Sequence, residues 1–106
     1  MHAEDIHVRQ LTGIDPTGGQ AAPSLVEQCR AALEQGAQRL EQAGHTMEDV
    51  TRVVFLMRDT DGFPACFPLL REAFGAGRPA TTLRLVPGFA DPATLIEIEL
   101  MVGPAE

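Results

Sequence analysis

Residues 95–102 read LIEIELMV. As a strand, this stretch puts Ile96, Ile98, Leu100 and Val102 on one face and Leu95, Glu97, Glu99 and Met101 on the other. The first face is wholly apolar and needs a layer to cover it. The second carries two carboxylates two residues apart. That face is either wet or a place where a carboxylate does chemistry.

Working outward, the covering layer is legible as helix. Ser24 followed by Glu27 forms a capping-box pattern. Behind it, Leu25, Cys29, Leu33, Gly36 and Leu40 recur at helical spacing. Gly36 within that stripe predicts close packing against a sheet, and Gly44 suits the position just past a helix end. Val50 to Met57 is β-branched and apolar, which predicts a strand buried on both faces. Asp61 or Gly62 opens a second helix, with Phe63, Phe67, Leu70 and Phe74 as its stripe and Pro68 as a kink. Gly75 to Pro79 ends it. Ile6 to Leu11 and Thr81 to Val86 read as further strands, and Asp15 to Gly19, DPTGG, as a turn.

The order β, α, β, α, β, β predicts an α+β domain, one mixed sheet with both helices on one face. Two helices on one side leave the other sheet face open. Val53, Phe55 and Met57 fall on one face of the central strand, but Val54 and Leu56 fall on the other. That apolar second face predicts association of copies.

Composition narrows the function classes. The chain has 106 residues and a formal net charge of −7, with 44% apolar and 22% charged residues. One domain over residues 1–106 is expected. The eight basic residues are scattered from Arg9 to Arg84, and there is no Trp or Tyr. Nucleic-acid binding would need a basic face, so no nucleic-acid partner is expected. The start MHAEDIHV lacks an apolar leader core, and no run reaches membrane-spanning length. A cytoplasmic protein with no membrane partner is expected. Cys29 and Cys66 sit in apolar helical patterns and read as reduced core thiols. His2, His7 and His45 are dispersed, and no ligand spacing predicts a metal or other cofactor.

The ordered pieces resemble the Rid family, the reactive-intermediate deaminases also called YjgF-like or endoribonuclease L-PSP-like. They are IDPTGG, then SLVEQCRAALEQGAQRLEQAGHTMEDVTRVVFLMRD, then FPACFPLLREAFGAGRPA, then LIEIELMV. No one piece is specific, but their order and spacing over residues 14–102 are. The resemblance implies a chorismate-mutase-like fold assembled as a homotrimer, with the sheets forming a central barrel. It implies small-molecule ligands in clefts between subunits. It also implies hydrolysis of enamines or imines to a carbonyl compound and ammonia.

The resemblance implies site residues as well. The first Glu of the last strand, which positions water, falls on Glu97. The carboxylate-binding Arg after Pro-Ala falls on Thr81, so this chain lacks the charge-assisted fork. The neighbouring Thr82 can donate to a ligand, and the family's Cys or Thr two positions beyond the Arg becomes Leu83. The family's Ser-Gly-Gln becomes Arg9-Gln10-Leu11, which loses a small Gly, and its helical Asn falls on Phe67. Its first strand, with a conventional Tyr, has no counterpart. Arg9 is the candidate to replace the missing cation, and Arg78 is placed at the cleft rim. Arg84 faces away from Thr81 and Leu83 by alternation. Each of these arginines also reads simply as a solvent-facing charge.

Two functions compete on these residues. One is an imine or enamine deaminase with an altered pocket, Glu97 holding water, acting on a substrate without a simple carboxylate handle. The other is a non-catalytic trimeric metabolite-binding or accessory protein. Ribonuclease activity is disfavoured by the acidic balance.

Overall fold

The computed structural model describes residues 6–12 and 24–103. The expected turn at Asp15–Gly19 lies outside the described residues, as does His2. Four strands form one mixed sheet: β1 (Ile6–Thr12), β2 (Val50–Met57), β3 (Ala80–Leu85) and β4 (Ile96–Val102). Their order across the sheet is β1-β4-β2-β3. β4 runs antiparallel to both its neighbours, and β2 and β3 are parallel.

The apolar row of β4 is the centre of the core. Ile96, Ile98 and Leu100 are each 0% exposed. They pair across the ladder with Met57, Phe55 and Val53, which are also buried. Helix α1 (Leu25–Gln42) lies over this row. Gly36 permits the approach: a Cβ there would come within 2.6 Å of Leu100 Cδ1 and 3.0 Å of Leu11 Cδ1. The Ser24 hydroxyl caps the helix by accepting from the Glu27 N–H at 3.2 Å. Gly44 at φ +85° follows its end in the left-handed conformation.

The second helix departs from the sequence reading. A short 3-10 segment, Phe63–Cys66, precedes α2, which spans only Phe67–Phe74. Pro64 and Pro68 explain the division. Each lacks an N–H, so each fits the first turn of a helical segment and neither fits the interior of a single long one. Pro68 therefore starts a helix where a kink was expected. The change turns Phe67 outward, 43% exposed, against the predicted inward stripe. It keeps an edge-on contact with the buried Phe63 at 5.4 Å.

Two buried polar arrangements tie the helices to the rest. Gln28 on α1 donates to the Ala93 carbonyl at 2.9 Å and accepts from the Leu95 N–H at 2.7 Å. This fixes the chain entering β4, so Leu95 precedes the strand instead of opening it. Cys29 and Cys66 are free, buried thiols that hydrogen-bond to each other. Burial first, and then the neighbouring sulfur, push the Cys29 thiol up to about 12, so it stays protonated and unreactive.

Replacing Gln28 by Leu would strand the Leu95 donor and the Ala93 acceptor. We expect a loss of about 2 kcal/mol in unfolding free energy, read by urea titration. A variant as stable as the parent would show that these two bonds are not what fixes the entry to β4.

Candidate functional site

Strand register decides where each candidate side chain points. β4 pairs Glu97 with Leu56 and Glu99 with Val54. β2 in turn pairs Leu56 with Arg84 and Val54 with Thr82. Glu97, Glu99, Thr82 and Arg84 therefore share the open sheet face. Thr81 and Leu83 pair with Val53 and Phe55, so they lie on the helix-covered face. The structure brings Thr82 to the side of Glu97 and puts Thr81 and Leu83 on the opposite side. Arg84 faces away from Thr81, as alternation predicts.

The open face is sheltered even within one protomer. Val54 is 5% exposed and Glu99 is 9% exposed. Glu99 is partnered: its Oε1 lies 3.0 Å from His7 Nε2 on β1. Glu97 is half-buried. Desolvation first, and then the Glu99 charge, hold its carboxyl above the ordinary range, and the Arg9 guanidinium pulls it partly back. Arg9 is thus close enough to act on Glu97. The two carboxylates differ: Glu99 is tied to His7, and Glu97 is held above the ordinary carboxyl range.

A β-bulge delivers Arg9. Val8 pairs with Leu100 and Leu11 with Ile98, so Arg9 and Gln10 together oppose Glu99. Gln10 adopts φ 61°, a left-handed conformation that favours glycine. The Arg9 carbonyl accepts from Arg39 Nη1 at 2.9 Å, which anchors the bulge to α1. The sequence reading placed a lost glycine at Gln10 but did not foresee a bulge. A non-glycine residue hides the positive φ.

On the helix-covered face, Thr81 and Arg78 line a cavity between β2, β3 and α2. Thr81 Oγ1 itself donates to the Pro79 carbonyl at 3.4 Å. Arg71, which the sequence reading did not single out, lines the same cavity. Its signal was weak: an exposed arginine on a helix face is ordinary. Among the described residues no group of three or more His, Cys, Asp or Glu is placed to hold a metal ion. None of the described helices is long and apolar enough to cross a membrane.

The family model for Endoribonuclease L-PSP matches residues 10–103. The chain belongs to that family. Solved structures agree with its YjgF/Rid relationship. A member of the YjgF/YER057c/UK114 family from Mycobacterium tuberculosis is 28% identical, with a TM-score of 0.81, covering 94% of this chain and 79% of that one. RidA from an Antarctic Psychrobacter shares the fold at a TM-score of 0.87 and 18% identity, covering 96% of this chain and 82% of that one. A Rid-family protein of unknown function from Yersinia pestis shares it at 0.85 and 20% identity, covering 94% and 80%. No curated protein matches the chain significantly. The α+β architecture of this L-PSP family member, one mixed sheet with two helices, is the YjgF/Rid fold.

Two predictions follow from the geometry around Glu97. Its raised folded-state pKa means that the folded protein binds more protons than the unfolded chain between the ordinary Glu value and the raised one. Stability therefore falls as pH rises through that window. Glu97→Gln should be more stable than the parent at neutral pH, and the difference should vanish in acid, as measured by thermal midpoints across pH. At the bulge, Gln10→Val should lose about 1–2 kcal/mol, because a β-branched residue fits positive φ poorly. Gln10→Gly should unfold at the parent's urea midpoint or above it.

Proposed function

We propose that this protein hydrolyses a reactive imine or enamine to a carbonyl compound and ammonia, in clefts completed by a second copy within a homotrimer. The carrying observation is Glu97, a half-buried carboxyl with a raised pKa beside Arg9 and the His7-paired Glu99. A partly desolvated carboxyl whose pKa is raised by burial and by the Glu99 charge suits relaying a proton during addition of water to a C=N bond. With the imine protonated at nitrogen, Glu97 would take a proton from water as the water oxygen bonds to the carbon, giving a neutral carbinolamine. That proton would pass from Glu97 to nitrogen, and the carbinolamine hydroxyl would give its proton back to Glu97 as the C–N bond breaks, releasing ammonia and leaving C=O. Arg9, Gln10 and Thr82 would line the Glu97 side of the cleft. Thr81, Leu83 and Arg78 would come from the facing copy, since they lie on the other side of the sheet.

The surface supports assembly. Among the described residues the exposed large apolar side chains are Phe67 at the start of α2 and Leu83 and Leu85 on β3, the last two 41% and 63% exposed. Leu83 sits beside Phe55, which reaches Phe67 through Phe63 by ring contacts of 5.1 and 5.4 Å. Among the described residues the outer edge of β3 is unpaired, and a strand edge carrying such residues invites a second chain. A non-catalytic metabolite-binding role is the second reading, favoured by Thr81 standing where the resemblance implies an Arg. RNA cleavage finds no support in the scattered basic residues.

The test generates 2-aminoacrylate and a panel of amino-acid-derived imines in place and follows ammonia release. Wild type should accelerate at least one imine, and Glu97→Gln should lose most of that rate, about a hundredfold or more. No acceleration of any imine would leave the binding role standing alone. Light scattering should give three times the chain mass; a monomer would remove the shared cleft.

A further inference from the structure

His7 lies on the open sheet face, and the reaction above gives it no part. Along β4, Met101, Glu99 and Glu97 stand in successive rows against His7, the Arg9–Gln10 bulge and Thr12. His7 is therefore one row beyond Glu99, on the side away from Glu97. An ionised carboxylate only accepts, so His7 Nε2 donates to Glu99 Oε1 at 3.0 Å. The bond draws the Glu99 carboxylate toward the Met101 end of the strand. The Glu99 side chain is 11% exposed and that of His7 43%. An outer imidazole thus serves an inner carboxylate that would be costly to bury without a partner.

The row between them holds a stronger partner. The bulge sets Arg9 across from Glu99, and a guanidinium forms the firmer bond to a carboxylate. Yet among the described residues Glu99 pairs with His7, and Arg9 forms no ion pair. The Arg9 charge acts on Glu97 instead. The other cations on this face stand elsewhere on the sheet, Arg52 on β2 beside Met101 and Arg84 on β3 beside Leu56. With two carboxylates near one guanidinium, whatever occupies Glu99 decides where that guanidinium goes.

We propose that His7 is a positioning residue: by donating to Glu99 it keeps Arg9 from that carboxylate and leaves the guanidinium to Glu97. The role needs a hydrogen-bond donor at residue 7, not a charge. Without the donor, Glu99 would draw Arg9 to itself. Glu97 would then lose its cation while keeping its desolvation, and its carboxyl would move further above the ordinary range. The inference rests on the reading above in giving Glu97 the proton-transfer role.

The test follows the Glu97 carboxyl carbon by NMR titration of the full chain, with no substrate present. His7→Val should raise the Glu97 midpoint above the parent's. His7→Gln, which keeps a donor, should return it most of the way. In a Glu99→Gln background, which removes the competing charge, His7→Val should leave the Glu97 midpoint where Glu99→Gln alone puts it. A merely structural role would lower the thermal midpoint without moving the Glu97 titration. In the ammonia-release assay, His7→Val should lose about tenfold in kcat at neutral pH, with the acidic limb of its pH profile moved upward. His7→Ser is read in the same way if His7→Val does not fold. Any one of four outcomes would overturn the proposal: an unmoved Glu97 midpoint in His7→Val, no recovery in His7→Gln, the same shift with Glu99→Gln present, or failure of both His7→Val and His7→Ser to fold. A His7-dependent Glu97 titration without turnover of any imine would sink the deaminase reading and leave this one. Glu97-dependent turnover with a titration indifferent to His7 would do the reverse.

Discussion

The approach of α1 to β4 at Gly36 is the contact on which the molecule depends. Without a side chain at residue 36 the helix can sit directly on Leu100 and Leu11. That seals Ile96, Ile98 and Leu100 completely. Burying such side chains contributes about 1.5–3 kcal/mol each. With β4 in the middle of the sheet, the helix fixes which of its faces is dry. The period of two then turns Glu97 and Glu99 to the opposite face, away from α1. Core packing and candidate chemistry are the two sides of one strand.

On the uncovered face, two carboxylates two residues apart receive different treatment. His7 satisfies Glu99 from β1. Glu97 has the Arg9 charge nearby, but desolvation and the repulsion of Glu99 outweigh it. The bulge at Arg9 and Gln10 creates the difference. It sets two residues against the single residue Glu99 and keeps Val8 and Leu11 pointing into the core. Without the extra residue, alternation would carry either Val8 or Leu11 out of the core. The left-handed conformation of Gln10 is the local cost of keeping both apolar anchors in place.

Much of this was legible in the sequence because it is periodic. The stripe of α1, the unbroken apolar run of β2 and the alternation of β4 each repeat over several turns or pleats. Features that depend on one residue meeting a distant one were not legible. Gln28 looks like a polar interruption in α1 until the 93–95 backbone is set beside it. Phe67 fits a helical stripe until Pro68 restarts the helix and changes its phase. The site is a mixed case. Alternation alone separates Arg84 from Thr81, but the separation of Thr81 from Glu97 needs the pairing of β2 with both β3 and β4.

That separation bears on how any site here must be built. Thr81 is on the edge strand and faces the helices; Glu97 is two strands inward and faces the other way. A small ligand touching both within one protomer would have to pass around the β3 edge, away from the sheltered surface that raises the Glu97 pKa. In the assembly proposed above, two copies would avoid this, because the edge of one would lie over the open face of the next. The exposed Leu83 and Leu85 would then be covered by that contact. Among the described residues the outer edge of β3 is unpaired and apolar, and an isolated chain with such an edge is open to indiscriminate strand pairing, which is the physical pressure toward covering it.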